Sequence, residues 1–409
     1  MAIIEAKINE VFANRADFDK KRYVSRDKYE TDLRRAITRF MHVFLTGESG
    51  CGKTWLTKYF LSTEKMPYQY INLAEVALVG GLLQYFTKQM PEMKTERIET
   101  LEANVEVNLF AATGSGSGEV TNTFMINNDV LWQYLTKCKG QAIVLDNFES
   151  VIDNFHVLNE LSCLITLSDD PRMNKLDLKF LIIGALHDVT KYFQTMPNYQ
   201  TIASRVTTVG VGGFTDTECY EFVDNSFRSC GFSSNEMIAL SNRIFDLTGG
   251  MPQTVNDLCY YIAIEHFDAK EAKILQKSEL VHIAEIKWTF ERMTSEYSVI
   301  NGYFKENVKN DVALNYVLIS LQEFKRKEFS SSELHFVIEN NYGESAKTLH
   351  AKKVKTYLGQ LADDAENRNI LVRTNADGYR VKSFKTYACL VMVLYSENNV
   401  VCCTDELTL

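Results

Sequence analysis

Gly47-Glu48-Ser49-Gly50-Cys51-Gly52-Lys53-Thr54 is the stretch that decides the fold of this 409-residue chain. It fits G-x-x-x-x-G-K-[ST], the pattern of a phosphate-binding loop. Upstream, Met41-His42-Val43-Phe44-Leu45-Thr46 is an apolar run expected to form a buried parallel strand; downstream, Trp55 to Leu61 has helical spacing. A loop between strand and helix can wrap successive backbone N–H groups around an anion, and the first helical turn adds the positive end of its dipole. Glycines let the backbone approach closely. On this reading Lys53 reaches the β and γ phosphates of a nucleotide and the Thr54 hydroxyl ligates Mg2+.

A hydrophobic fraction of 45% over this length supports two or three packed domains. The net charge of −9 excludes a global attraction to nucleic acid, so any such contact must come from a local patch. Nine scattered cysteines form no C-x-x-C pair and no zinc-spaced cluster, as expected of reduced thiols in the cytoplasm. Met1 to Ala13 lacks the pattern of a secretory leader, and no run of eighteen apolar residues occurs. Neither secretion nor a membrane partner is expected.

Residues 1–40 form an expected N-terminal helical segment, in which Arg26 precedes a helix from about Lys28 to Arg39 and either edges a lid near the adenine or belongs to a plain docking helix. Residues 41–212 are the expected α/β core, a parallel sheet of the phosphate-loop NTPase class. After the loop, Tyr68 to Leu73 is a strand and Leu78 to Gln89 a helix. Residues 102–126 alternate about a Gly-Ser turn and are expected as an inserted β-hairpin, with a surface loop as the alternative. Ala142-Ile143-Val144-Leu145 runs into Asp146, a buried strand delivering a carboxylate to the sheet edge where ligands bind; Asp146 is expected to hold Mg2+ through water. Asn147 follows where a catalytic Glu usually stands, which leaves Glu149 as the candidate base, a capping or surface role being the alternative. Lys179 to Ala185 is the next strand. His187 or Thr190 could sense a γ-phosphate beyond it, or be ordinary loop residues. Arg205, before a last strand at Thr207 to Val211, either bridges to a neighbouring subunit or sits in a surface salt bridge.

From residue 213 to 300 the pattern is helical and is expected to make a lid. Thr215 to Glu218 is a capping box, and in Thr248-Gly249-Gly250-Met251-Pro252-Gln253 the glycines end one helix while Pro252 starts the next. Residues 305–398 carry three helices and two strands around Asn375-Ala376-Asp377-Gly378, the order of a winged helix. Between Glu344 and Lys385 nine bases face five acids, a local +4. Lys352, Lys353, Lys355 and Arg380 are the candidate DNA contacts, with solvated lysines or a protein-docking face as the alternative.

These residues together resemble the AAA+ and STAND branch of phosphate-loop ATPases, especially the origin-recognition-like ATPases built as core, helical lid and winged helix. The resemblance runs from about Tyr23 to Tyr395 and is carried by Gly47 to Thr54, the strand ending at Asp146, and Gly250-Met251-Pro252. It implies ATP and Mg2+ as cofactors, nucleotide contacts from Gly47 through Trp55 with Arg26 and Pro252, and catalytic roles for Lys53, Asp146, Glu149 and Arg205. It also implies an ATP-dependent homo-oligomer, an effector protein or DNA as partner, and a setting in phage defence or mobile-element biology. Gln253 and Asn147 depart from the family's Arg and Glu, and slow hydrolysis is expected from both.

Overall fold

The computed structural model describes residues 2–12, 18–90, 130–185, 194, 199–270, 278–310, 312–325, 327–346, 349–363, 368–397 and 400–404. The expected hairpin at 102–126, His187 and Thr190 lie outside them. The chain divides into two compact units, Phe18–Gly212 and a second made of Met1–Asp17 with Gly213–Leu409. No described helix is long and apolar enough to cross a membrane.

The first unit is built on five parallel strands: β1 (His42–Thr46), β2 (Tyr68–Asn72), β3 (Ala142–Asp146), β4 (Lys179–Ile183) and β5 (Val206–Gly210), in the order β2-β3-β4-β1-β5. β1 and β3 are buried along their whole length, as continuous apolar strands covered on both faces must be. β2 is an edge strand, and its Tyr68, Gln69 and Tyr70 are exposed. Chain order reverses around β1, which has β4 on one side and β5 on the other. The loop leaving β1 therefore opens at the carboxyl edge of the sheet, at a topological switch point.

One expected helix is corrected. Leu78 to Gln89 is not continuous: Leu73–Val79 and Leu82–Gln89 are separate helices, broken at Gly80 (φ 99°) and Gly81 (φ 147°). The second starts on a buried carboxylate, Glu160, which accepts the Leu82 N–H at 2.6 Å. Burial raises the Glu160 pKa above its ordinary value, and the bonds from Leu82 and Leu83 oppose that shift.

In the second unit, helix Asp216–Ser229 opens on a capping box formed by Thr215 and Glu218, followed by Met237–Thr248, Pro252–Asp268 and Ser278–Arg292. The N-terminal helix Ala2–Val11 belongs here: Asn256 Nδ2 donates to the Phe12 carbonyl at 3.0 Å and the Phe12 ring packs edge-on to Phe227. Further on, helices Val312–Ser320, Ser331–Tyr342 and Ala351–Ala362 accompany an antiparallel sheet of β6 (Phe329–Ser330), β8 (Gly378–Val381) and β7 (Leu371–Arg373), with β8 in the middle. A last hairpin, β9 (Leu394–Glu397) with β10 (Val400–Cys403), was not anticipated from the sequence.

Candidate nucleotide site

The loop from Gly47 to Gly52 joins buried β1 to helix Lys53–Thr63. Gly52 is the residue before that helix and is left-handed (φ 88°, ψ 19°), a conformation with no penalty for glycine alone. Gly47 is required for a different reason. A Cβ there would lie 2.1 Å from the Val211 carbonyl oxygen and 2.9 Å from Cys51 Sγ. Within the loop Glu48 and Ser49 are exposed, Gly50 is half-buried and Cys51 is buried, and burial pushes the Cys51 thiol up.

Lys53 is buried, 8% exposed, and its ammonium folds back into the loop. Nζ donates to the carbonyls of Gly47 at 3.0 Å and Glu48 at 2.9 Å, with Cys51 Sγ at 3.8 Å. Those neutral carbonyls satisfy the buried ammonium within the loop.

Next to Lys53, the Thr54 hydroxyl donates to Asp146 Oδ2 at 2.8 Å. Asp146 is 5% exposed, and its carboxylate accepts two further bonds: Oδ2 also accepts the Tyr70 hydroxyl at 2.7 Å, and Oδ1 accepts the Asn147 N–H at 2.8 Å. Burial is the main cause of the raised Tyr70 pKa, with the bond to Asp146 second. Sequence reasoning missed Tyr70. The signal was the β2–β3 register, since Asn72 pairs with Asp146 and Tyr70, two residues back, shares the face of Asn72. One hydroxyl and one carboxylate side by side suit Mg2+, a hard cation that takes few protein oxygens and completes its shell with water and phosphate.

Asn147 has left-handed backbone (φ 63°, ψ 47°), which Asn tolerates better than Glu does. Its Nδ2 donates to Asn72 Oδ1 at 3.0 Å, and Asn72 also caps the Ala74 N–H. Glu149 is exposed and its Oε2 accepts the Ala185 N–H at 3.1 Å, which brings a carboxylate to the end of β4. Gly184 is small because Phe148 packs there: a Cβ would lie 3.1 Å from Phe148 Cβ.

The other sequence candidates are placed as follows. Arg26 is 2% exposed, and its guanidinium donates to the carbonyls of Cys51 and Gly212. Trp55 packs against Phe18 with ring centroids 5.4 Å apart, and the Arg22 guanidinium lies 5.5 Å from its ring. Arg205 ends helix Tyr199–Arg205 and is ion-paired with Asp169, Nε donating to Oδ1 at 3.1 Å, while Nη1 donates to the Thr201 carbonyl. Pro252 belongs to the second unit and is the first residue of its helix. Lys352 and Lys355 are exposed on helix Ala351–Ala362, Lys355 paired with Asp377 at 3.1 Å; Lys353 lies 5.5 Å from the Tyr357 ring and Arg380 is half-buried.

No family model matches the chain, and no curated protein matches it. Solved structures do. The ORC2 protein of Aeropyrum pernix, solved as ADPNP–ADP complexes, is 12% identical, with 93% of this chain and 96% of that one covered and a TM-score of 0.50. A Walker-type ATPase of Pyrococcus abyssi is 15% identical over 93% and 99% of the two chains, TM-score 0.48. The ORC1 protein of Aeropyrum pernix, in complex with DNA, is 12% identical over 94% and 95%, TM-score 0.42. At these identities the likeness is one of fold alone: with the loop on β1 and the acid on β3, the first unit has a phosphate-loop NTPase α/β core similar to that of the ORC2 structure.

Proposed function

We propose that this protein is an ATP-binding and slowly hydrolysing switch ATPase, in which nucleotide closes a helical lid on the core and promotes a homo-oligomer that controls a partner protein. The observation that carries the proposal is the convergence of Lys53, Thr54 and Asp146 at the carboxyl edge of the sheet, with the Lys53 ammonium held by neutral groups of the loop, the carbonyls of Gly47 and Glu48 and the Cys51 sulfur. An incoming phosphate replaces those carbonyls by stronger, charged acceptors. Thr54 and Asp146 would hold Mg2+, which when bound would neutralise charge on the phosphates. Asp146, already oriented by Tyr70 and Asn147, keeps its carboxylate in place without reorganisation.

Slow turnover follows from the base position. Asn147 is neutral and committed to Asn72, so no carboxylate follows Asp146 directly. Glu149 lies beside the end of β4 and is the carboxylate we assign to orienting water. Arg205, released from Asp169, is the candidate to reach a neighbouring subunit. On the family resemblance, the biological setting we propose is phage defence or mobile-element biology.

A second reading, that the C-terminal module is a winged helix that binds DNA, is favoured by one observation. Helix Ala351–Ala362 buries Val354, Tyr357, Leu358 and Leu361 and turns Lys352 and Lys355 outward. A salt-dependent duplex titration with Lys352, Lys353 and Lys355 changed to Glu belongs with the main experiment.

That experiment is the mass of the full chain by light scattering, with and without ATP·Mg2+, for wild type and Lys53→Ala. Mass that rises with ATP in the wild type and stays constant in Lys53→Ala is the expected result. Removing the ammonium is expected to weaken ATP binding about 100-fold, the upper range for charged hydrogen bonds. Constant monomer mass in both removes the assembly step, and equal ATP affinity in both removes the nucleotide site.

A further inference from the structure

Arg26 stands outside the phosphate-loop pattern, yet its side chain is almost wholly buried. A buried cation must be matched by acceptors, and two of them are backbone carbonyls. Nη1 donates to the Cys51 carbonyl at 2.7 Å, inside the loop, and Nη2 to the Gly212 carbonyl at 2.6 Å, just past β5. The guanidinium lies 4.5 Å from the centroid of the Tyr29 ring. Its backbone is fixed as well: the Arg26 N–H donates to Glu30 Oε1 at 2.7 Å, and the same oxygen accepts the Ser25 and Tyr23 hydroxyls.

The acceptors matter because of where they lie. Cys51 precedes Gly52 and Lys53, and in a planar trans peptide the Cys51 carbonyl and the Gly52 N–H point in opposite directions. Drawing that carbonyl towards Arg26 turns the Gly52 N–H the other way, as an anion-binding loop needs. Gly212 is the last residue of the first unit. A Cβ on it would meet Tyr29 Oη at 2.7 Å, so it is seated directly against the Arg26 pocket. The next residue, Gly213, opens the second unit, where a Cβ would lie 2.9 Å from the Gly250 carbonyl oxygen and the Phe214 N–H donates to that same carbonyl at 2.6 Å.

We infer that Arg26 is a positioning residue that ties the phosphate loop to the point where the chain leaves the nucleotide unit, so that the loop and Gly212-Gly213 respond together. The inference rests on the nucleotide reading above and gives it a route from the site to the junction. Arg26 acts through the two carbonyls and requires no contact with the nucleotide. Only a forked guanidinium reaches both at once; a lysine ammonium is a point donor.

The test is amide hydrogen exchange on the full chain, without ligand and with a fluorescent ATP analogue and Mg2+, for wild type, Arg26→Met and Arg26→Lys. Without ligand, Arg26→Met is expected to speed exchange about 10-fold in both 47–52 and 211–213, leaving β3 and β4 at wild-type rates. Arg26→Lys is expected to speed only one of the two segments. The analogue should bind Arg26→Met about 10-fold more weakly, and its protection of 211–213 should be lost even at saturation. Unchanged exchange at 211–213 in Arg26→Met overturns the inference. Should the Met variant exchange rapidly everywhere, Arg26→Lys decides, and wild-type rates at both segments overturn it. A wild type that binds no analogue would sink the nucleotide reading, while the ligand-free rates would still decide whether the bridge exists.

Discussion

Two glycine turns organise this chain, and they are held in opposite ways. The first, Gly47 to Gly52, is wired by cations: Lys53 donates to the carbonyls of Gly47 and Glu48, and Arg26 to that of Cys51. The second, Gly249-Gly250 ahead of Pro252, is held by packed rings and neutral hydrogen bonds, among them the Gly249 N–H to the Phe245 carbonyl at 2.7 Å. The Phe384 ring lies on the Gly249 α-carbon, Phe245 lies beside Gly250, and the Gly250 carbonyl is bonded to Phe214. Both turns use left-handed glycines, with φ of 80° and 88° at Gly50 and Gly52 and of 60° and 68° at Gly249 and Gly250. A shared backbone signature therefore says nothing of purpose. The Lys53 ammonium can exchange its carbonyls for another acceptor, whereas a ring seated on a glycine has nothing to exchange. On the nucleotide reading proposed above, the first turn is rewired on binding and the second stays packed.

Gly249→Ala tests the rigid turn with the largest effect. A Cβ there would fall 1.5 Å from Phe384 Cε1, in a backbone with φ of 60°. The overlap and the left-handed penalty together are expected to cost about 3 to 4 kcal/mol in urea denaturation. In a Phe384→Ala background the overlap is gone, and Gly249→Ala should then cost only about 1 kcal/mol, a coupling of about 2 kcal/mol or more. Additive effects would mean that Phe384 yields freely, and the contrast between the turns would weaken.

Acid is expected to act on the polar side of the comparison. His42 begins β1, the strand that carries the phosphate loop, and is fully buried against Phe180. Burial, aided by the charge of Arg205, pushes its pKa down from 6.5 to about 4. Above pH 6.5 both folded and unfolded chains hold it neutral, so it has no effect on stability there. Between pH 6.5 and about 4 the unfolded chain takes up a proton that the folded chain refuses, and stability falls by about 1.4 kcal/mol per pH unit. Below that range both states are protonated and the loss levels off. His42→Phe should flatten this slope in denaturation measured at pH 7, 6 and 5; an unchanged slope would show that other groups control it.

The parts of this molecule that were legible were those whose physics is local. The loop motif needs only its own glycines and lysine between a strand and a helix; Asp146, ending four apolar residues, is a weak signal alone and becomes a strong one by following the loop, 92 residues after Thr54. The capping box at Thr215 was equally plain, because cap and partner are three residues apart. Contacts distant in sequence were not legible. Arg26 reaches 186 residues along the chain to Gly212, and Tyr70 reaches 76 to Asp146. Nothing in Gly249-Gly250 names Phe384 as the ring that covers it. The broken helix is a different case, since Gly80-Gly81 was visible and only its effect on the helical pattern was underestimated.

Tyr70→Phe is the smallest expected effect and the finest test of the wired turn. The substitution keeps the ring, over which the Lys58 ammonium lies at 5.2 Å, and removes only the hydroxyl that donates to Asp146 Oδ2. Thr54 still donates to the same oxygen, and Tyr70 is 39% exposed, so water can take the lost donor's place. The cost should be about 0.5 to 1 kcal/mol, seen as an about 3-fold weaker affinity for an ATP analogue in the presence of Mg2+. Without Mg2+ the affinity should match wild type, because the hydroxyl orients the acid and touches no phosphate. A loss that is equal with and without Mg2+ would place Tyr70 on the nucleotide itself. A loss as large as that of Gly249→Ala would show that the wiring around Asp146 is as rigid as the packing around Phe384, and the distinction between the two turns would fail there.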